Sequence, residues 1–259
     1  VAETEWEYSR EFGVTADLLS HDRVLLVCRG LDTLATIRVN GRKVARMGTT
    51  VSPSRDTVCC RGTKVRTVLP LEYIAYYKTR GTLVTARDPA NRLTVYDALE
   101  QAGMRARHCK YAGRLDRNSE GLLLFSNDGK LLHALTHPRH GFKRKYCVRI
   151  NQPLTAAHEK EITAQGVKTA AGDTLRAAKI SRKNMTGRDN DVWYTIELYE
   201  GKNRHIRRML EALGYTVFRV RRLQYGCVTL KGLAPGQWRH LTAREVAGLM
   251  RTGHRVKDF

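Results

Sequence analysis

The sequence predicts a mixed fold of β-strands and α-helices, in one large domain or two modest ones. Runs rich in aromatic and β-branched residues, at 73–77 and 192–198, are typical of strands. A helix with one apolar side is predicted by four residues at i, i+3, i+4 and i+7: Ile206, Met209, Leu210 and Leu213. The length of 259 residues and the apolar fraction of 42% are sufficient for a core of this size.

The charge of the chain is strongly positive and predicts its class of partner. Lysine and arginine number 46 against 25 acidic residues, which gives a net charge of +21 and a pI near 10.1. Such an excess favours a polyanionic partner, and nucleic acid is the usual one. No apolar run approaches the ~20 residues that a membrane-spanning helix needs, so we expect no membrane partner.

The cysteines and short motifs give no sign of a cofactor. None of the six cysteines belongs to a C-x-x-C pair or to a Cys/His cluster with zinc-ligand spacing. The sequence also lacks a Walker A loop, an H-E-x-x-H motif and a G-x-G-x-x-G motif. We therefore expect reduced cysteines, no cofactor and no metal.

A polar loop followed by an apolar run is the leading candidate for a functional site. Asp116 lies in this loop between Arg114 and Arg117, and the apolar run 122–125 predicts a buried strand. A carboxylate on a loop beside a rigid strand is well placed to act as a nucleophile or a base. From these residues alone, an ion pair between Asp116 and a neighbouring arginine explains the pattern equally well.

Residues 113–129, GRLDRNSEGLLLFSNDG, resemble the catalytic motif of pseudouridine synthases of the RsuA/RluB type. The resemblance implies that Asp116 is the catalytic aspartate. It would attack the ribose, or take its C2′ proton, while uracil detaches, turns over and rejoins through C5. Arg114 would hold the extruded nucleotide or fill its vacated place.

Two further segments are similar to motifs of the same family. Residues 73–89 resemble its opening motif, with Thr79 at a position that is usually proline, and Lys78 and Arg80 are the predicted phosphate contacts. Tyr146 stands at the family's K-x-Y-x-V tyrosine, which implies that it lines the active site against the target base. Arg144 replaces the lysine of that motif and is a predicted RNA contact.

The segment EGKNRHIRRM, residues 200–209, is similar to the family's third motif, with His205 in place of glutamine. The resemblance implies that Arg207 pairs with the catalytic aspartate. From the residues alone, the segment is also typical of a surface helix with ordinary arginines, with Asn203 as N-cap and Gly214 as its stop. The remaining predicted RNA contacts are Lys202, Arg204, Arg208 and Arg221.

The N-terminal part of the chain is predicted to be a separate RNA-binding domain. Residues 37–65 resemble the second half of an S4 RNA-binding domain and contain an Asn40-Gly41 hairpin signal. We predict an S4-like domain at 1–68 and a catalytic domain at 69–259, with a generic small β-domain as the alternative for the first. The basic segment 151–190 is interpreted as an RNA-facing surface or as a plain solvated one.

The resemblance as a whole implies an α+β catalytic domain with a mixed, mainly antiparallel sheet and a central cleft, preceded by the small S4-like domain. It implies a monomeric RNA pseudouridine synthase that acts on large-subunit ribosomal RNA or on a ribosomal subunit precursor, within an assembly intermediate. The alternatives are a non-catalytic RNA-binding assembly factor with the same fold, which the departures at Thr79, Arg144 and His205 allow, and a structural ribosomal protein. The start at Val1 without methionine and these departures lead us to expect a mitochondrial location, with a bacterial cytoplasm as the alternative.

Overall fold

The computed structural model describes residues 24–25, 37–39, 42–43, 50–51, 57–60, 63–64, 70–183 and 192–252. The chain divides into two compact units, the first formed by residues 1–72 and 127–130 and the second by residues 73–126 and 131–259. We predicted a domain division at residue 68, and the observed one falls after residue 72.

Up to residue 64, the described part of the first unit consists mainly of short strands: β1 (Val24–Leu25), β2 (Ile37–Val39), β3 (Arg42–Lys43), β4 (Thr50–Val51), β5 (Val58–Cys60) and β6 (Thr63–Lys64). Strand β1 pairs with β4, and the others form a sheet in the order β3-β2-β5-β6. Strands β2 and β3 are antiparallel across the predicted Asn40-Gly41 hairpin, with Val39 opposite Arg42. In the preceding segment, where an S4-like domain would have its helices, the structure describes only Val24–Leu25, which form β1, so the S4-like domain stays a prediction.

The second unit is built on a nine-stranded sheet. Its strands are β7 (Tyr73–Lys78), β8 (Lys110–Tyr111), β9 (Glu120–Ser126), β10 (Arg144–Ile150), β13 (Lys179–Lys183), β14 (Val192–Leu198), β15 (Val217–Tyr225), β16 (Val228–Thr229) and β17 (Trp238–His240). The order is β13-β14-β10-β15-β9-β7-β17, with β8 beside β9 and β16 beside β15. A separate hairpin is formed by β11 (Val167–Lys168) and β12 (Thr174–Leu175). The predicted mixed, mainly antiparallel sheet is confirmed, and the α+β class with it.

The helices of the described chain are α1 (Val95–Gln101), α2 (Gly129–Thr136), α3 (Ala156–Ala164), α4 (His205–Ala212) and α5 (Ala243–Thr252), with a 3₁₀ turn at Pro138–His140. In the described residues, no helix combines the length and apolar character needed to cross a bilayer. The predicted N-cap Asn203 is wrong, because α4 begins at His205 and its cap residue is Arg204, whose φ of 47° is left-handed and whose side chain forms no capping hydrogen bond. Gly214, with φ +83°, follows the end of α4 as predicted.

The central strands of the sheet are buried on both faces. Side chains from β7 and β9 alternate between two apolar clusters, so that Tyr76 and Leu123 belong to one and Tyr77 and Leu122 to the other. We call the face of Tyr76 and Leu123 the front face and the opposite one the rear face. A strand that is buried on both sides has an unbroken apolar sequence, which is why the run 122–125 was visible in the sequence.

A short parallel pairing joins the two antiparallel halves of the sheet. Strand β9 pairs with β15 through Glu120 opposite Arg221 and Gly121 opposite Arg222. Gly121 has φ +106°, and a Cβ atom there would lie 2.3 Å from the carbonyl oxygen of Arg222. Only glycine therefore allows the two strands to approach this closely.

A buried lysine fixes the loop that connects β8 to β9. Lys78 is fully buried at the end of β7, and its Nζ donates to the carbonyl oxygens of Thr79 (3.0 Å), Arg117 (3.3 Å) and Ser119 (2.8 Å). Burial lowers the pKa of Lys78 to about 8, although the nearby carboxylate of Asp116 opposes the shift. The predicted role of Lys78 as an RNA phosphate contact does not fit this position, because its ammonium is shielded from solvent.

We expect Gly121→Ala to destabilise the protein far more than Gly232→Ala. Both glycines have positive φ, but a Cβ at Gly232 would meet no atom within 4 Å. The control should cost about 1–2 kcal/mol for its left-handed backbone, whereas Gly121→Ala adds an overpacking cost of at least about 1–3 kcal/mol. Chemical denaturation measures both free energies of unfolding, and equal losses would contradict the close approach of β9 and β15.

We expect the buried ammonium of Lys78 to give the stability a specific dependence on pH. Its pKa is about 8 in the folded state, against the ordinary lysine value of 10.5. Between these values the unfolded chain binds more protons, so the free energy of unfolding rises with pH, and below pH 8 the full cost of burying the charge is present. The gain should be roughly 3 kcal/mol at most. Denaturation experiments from pH 7 to pH 10 measure the free energies of unfolding of the wild type and of Lys78→Met. If the difference between the two free energies does not change with pH, the buried charge of Lys78 does not have this effect.

Candidate active site

An open cleft of about 360 Å³ lies at the front face, where the loop before β9, strands β10 and β15 and the start of α4 meet. Its volume is within the range of about 300–1,000 Å³ that is usual for ligand sites. The cleft brings together most of the site residues that the sequence predicted, from segments far apart in the chain: Arg114, Asp116, Arg144, Tyr146, Lys202, Arg204 and Arg207.

Asp116 presents an unengaged carboxylate to the cleft. The residue is half-buried, and its own carbonyl oxygen accepts a hydrogen bond from the Ser119 amide (3.0 Å), which closes a tight turn. Within the described part of the chain, no hydrogen bond or ion pair involves its carboxylate oxygens. Since Lys78 holds the carbonyls of Arg117 and Ser119, the loop is fixed while the carboxylate remains available for chemistry.

Arg207 lies beside Asp116 on the wall of the cleft but does not form a direct ion pair with it. Only 8% of Arg207 is exposed, and it donates to the carbonyl oxygens of Val217 (2.8 Å) and Asn118 (3.4 Å). Burial lowers the pKa of Arg207, and the charge of Asp116 partly offsets this shift. The predicted pair is therefore a charge interaction without direct contact, and Arg207 also joins α4 to the loop of Asp116.

Tyr146 and Arg144 form another wall of the cleft from strand β10. Tyr146 is 7% exposed, and on β10 it lies between Ile196 of β14 and Arg222 of β15. Arg144 is held by hydrogen bonds to the Tyr199 carbonyl (3.1 Å) and the Tyr225 hydroxyl (3.0 Å), with its guanidinium 4.8 Å above the Tyr225 ring. A flat aromatic side chain on the wall of such a cleft is suited to contact a planar base.

Four of the predicted RNA contacts are exposed cations, and they differ in whether they form ion pairs within the protein. Arg114 lines the cleft and Arg80 lies outside it, and within the described residues neither side chain forms an ion pair. Lys202 and Arg204 line the cleft but contact acids, Lys202 at 3.5 Å from Glu200 and Arg204 at 3.7 Å from Glu211. All four side chains are accessible to a phosphate. Lys202 and Arg204 would give up their exposed ion pairs to bind it, and such pairs contribute little to stability.

Besides Lys78 and Arg80, two further predicted RNA contacts are not part of the cleft. Arg208 binds Asp173 and the Thr169 hydroxyl, on a different side of α4. Arg221 points to the rear face, where its Nε lies 2.6 Å from a carboxylate oxygen of Glu120. The structure therefore does not support a role for either residue at the cleft.

Sequence reasoning missed the role of a buried arginine in the cleft. Arg222 is 2% exposed, donates from Nε to the Leu122 carbonyl (2.6 Å) and lies 5.1 Å from the Tyr225 ring centre. Among the residues that the structure describes, its Nη2, like the Nε of Arg207, is buried without a hydrogen-bond partner. Buried donors of this kind are rare in native proteins, and a polar ligand in the cleft would satisfy them. The only signal in the sequence was the basic strand 219–222.

Two other buried polar residues support the site. Glu120 is 5% exposed, and although its burial opposes ionisation, Arg219 and Arg221 bring the pKa of its carboxyl below the usual value. Its position directly before an apolar run, in a chain this basic, was an available signal. His205 is also buried, with its Nε2 3.1 Å from the Arg176 carbonyl oxygen, and burial lowers its pKa.

Comparison with known families gives a match over the region that contains this cleft. The family described as RNA pseudouridylate synthase matches residues 72–212, which is more than half of the chain. A family described as glycosyl hydrolase 2 galactose-binding domain-like matches residues 1–53, a minor part of the chain that lies mostly outside the described residues.

Individual proteins agree with the first match. Ribosomal large subunit pseudouridine synthase B of Escherichia coli K12 is 40% identical over 169 residues, which are 65% of this chain and 56% of that protein. The protein of the same name from Bacillus subtilis is 33% identical over 216 residues, 82% of this chain and 84% of that protein. This chain thus spans little more than half of the first relative and most of the second. The crystal structure of a pseudouridylate synthase shares the fold, with a TM-score of 0.60 and 23% identity over 83% of this chain and 88% of that one. The chain belongs to the RNA pseudouridylate synthase family.

Proposed function

We propose that this protein is an RNA pseudouridine synthase that converts a uridine of large-subunit ribosomal RNA to pseudouridine, with Asp116 as the catalytic residue. The substrate follows from the relatives, which are named ribosomal large subunit pseudouridine synthases. We also propose that the protein acts as a monomer, on ribosomal RNA or a subunit precursor, in a mitochondrion, with a bacterial cytoplasm as the alternative.

The observation that carries the proposal is the unengaged carboxylate of Asp116 in a cleft surrounded by fixed cations. An acid whose only role is structural would be expected to form ion pairs, as Glu120 does with Arg219 and Arg221. Asp116 is instead held through its backbone, while its carboxylate faces the cleft that Tyr146 and Arg207 line. This arrangement presents a reactive group and leaves room for a substrate.

The chemistry needs only the rearrangement of one nucleotide. The bond between C1′ and N1 breaks and a bond between C1′ and C5 forms, while C5 loses a proton and N1 gains one. Asp116 either bonds to C1′ and is displaced by C5, or removes the C2′ proton and returns it after C5 has added. Both routes begin and end with a free carboxylate, so the balance includes no cofactor.

The remaining cleft residues have positioning roles in this proposal. A uridine inside a helix must leave the stack before Asp116 can reach its ribose. Tyr146 then lies against the extruded base, and Arg114 holds the extruded nucleotide or fills its vacated place. The unpaired donors of Arg207 and Arg222 bind anionic or carbonyl oxygens of the nucleotide, which also stabilises the negative charge that develops on the detached uracil.

We expect Asp116→Asn to lower pseudouridine formation by at least about 100-fold, because a positioned carboxylate contributes about 10²–10⁴ in rate. The variant keeps the size of the side chain. The matched control is Glu100→Gln, which neutralises a carboxylate on α1 whose one ion pair among the described residues is an exposed one with Arg107. Pseudouridine mapping of ribosomal RNA, in cells that lack the gene and carry each variant, measures the outcome.

The expected result is one uridine that is modified with the wild type and with Glu100→Gln but not with Asp116→Asn or without the gene. A different result would identify a binding factor: no site changes, ribosome assembly fails without the gene, and Asp116→Asn restores it. That outcome would overturn the proposed activity.

A further inference from the structure

The sheet that carries the cleft on its front face also carries an aligned set of cations on its rear face. The strand register places Lys145 opposite Glu197 of β14, which is in turn opposite Lys179 of the edge strand β13. It places Arg149 opposite Trp193, which is opposite Lys183, and on the other side opposite Arg219. Residues directly opposite one another in a sheet point to the same side. We call these cations, with Arg221, the rear basic face: Lys145, Arg149, Lys179, Lys183, Arg219 and Arg221.

This face has a net positive charge and is open to solvent. Its six cations accompany two carboxylates, Glu120 and Glu197, so six positive charges minus two negative ones leave +4. The side chains of Lys145, Arg219 and Arg221 keep 37%, 37% and 31% of their surface exposed even while paired. Lys179 and Lys183 are exposed, and neither has an acidic partner in the described part of the chain. The charge exceeds what internal pairing needs, which favours an anionic ligand.

Two further features make the rear basic face fit RNA in particular. Phe218 is 46% exposed, and the guanidinium of Arg149 lies 5.3 Å from its ring centre. An exposed aromatic ring beside cations is the arrangement on which single-stranded nucleic acids stack their bases. An open groove of about 460 Å³ extends the face past β16 and adds Lys231 to its lining.

We propose that the rear basic face binds a second segment of the same RNA whose uridine enters the cleft. The identity of that RNA rests on the proposed function, whereas the binding of RNA at this face does not. One layer of strands separates the two surfaces, so a short stem-loop in the cleft cannot cover both of them. The preferred substrate is therefore a large folded RNA in which a distant segment reaches the rear face around the edge strand β13.

The test compares two double variants that remove the same charge. Lys179→Ala with Lys183→Ala changes the rear basic face, and Lys110→Ala with Lys160→Ala removes two exposed lysines elsewhere. Binding is measured over a range of salt concentrations, with large-subunit ribosomal RNA transcribed in vitro and with a short uridine-rich stem-loop. We expect the rear variant alone to lower the salt slope with the large RNA by about 1.4–1.8, the value for two lost phosphate contacts. Equal effects of both variants on the large RNA would overturn the proposal, because net charge alone would then explain them.

A second comparison separates RNA from other polyanions. We expect Phe218→Leu, which keeps an apolar side chain but loses the ring, to weaken binding of the large RNA and leave binding of heparin unchanged. Heparin has the charge but no bases to stack. If Phe218→Leu weakens binding of the RNA and of heparin equally, or weakens neither, then no RNA base stacks on Phe218.

The outcome is distinguishable from a failure of the proposed function. Binding does not depend on turnover, so loss of affinity specific to the rear variant supports the inference even if the wild type forms no pseudouridine. If the wild type modifies the large RNA while both double variants bind it alike, the proposed function stands and the inference about the rear face is wrong.

Discussion

The short parallel pairing of β9 with β15 is the constraint on which the site depends. Asp116 is on the loop that enters β9, whereas Tyr146 belongs to β10 and Arg207 to the helix that precedes β15. The two halves of the sheet meet through only two residue pairs, and at one of them Gly121 lies directly against the backbone of Arg222. The distance between the carboxylate and the opposite wall of the cleft is therefore set by a contact that a single methyl group would disturb.

Buried cations are the second theme of this structure. Lys78, Arg207 and Arg222 are almost entirely removed from solvent, and each donates to main-chain carbonyl oxygens of the segments that form the cleft. Burying a charge is costly unless several polar groups surround it. Here the main-chain carbonyl oxygens partly offset that cost. Hydrogen bonds from Lys78 and Arg207 hold the loop of Asp116 in place, and the three cations surround Asp116 with positive charge without binding its carboxylate. In such a basic protein, a share of the arginines and lysines thus builds the site and does not contact RNA.

The sequence was informative where the pattern was local or where the family motif was intact. The strand at 192–198 and the α+β class were predicted correctly, and the predicted site residues of segments 113–129, 144–148 and 200–209, apart from Arg208, do meet in one cleft. It was not informative about the direction of side chains on strands. Nor did it show that Lys78 ends β7 and is buried, whereas Arg80 lies in the turn after that strand and is exposed. Arg221 and Arg222 are neighbours, but because successive residues of a strand face opposite sides, one reaches the rear face and the other the cleft. Which side is covered depends on long-range packing that no local pattern encodes.

The most direct test of the account is a measurement of proton loss at C5 of uridine. Large-subunit ribosomal RNA that carries tritium at C5 of its uridines would be incubated with purified wild-type protein or Asp116→Asn, at concentrations where both bind the RNA fully. The account predicts release of tritium to water by the wild type and none by Asp116→Asn. Full binding without release by the wild type, or equal release by both proteins, would contradict the assignment of Asp116 as the catalytic residue.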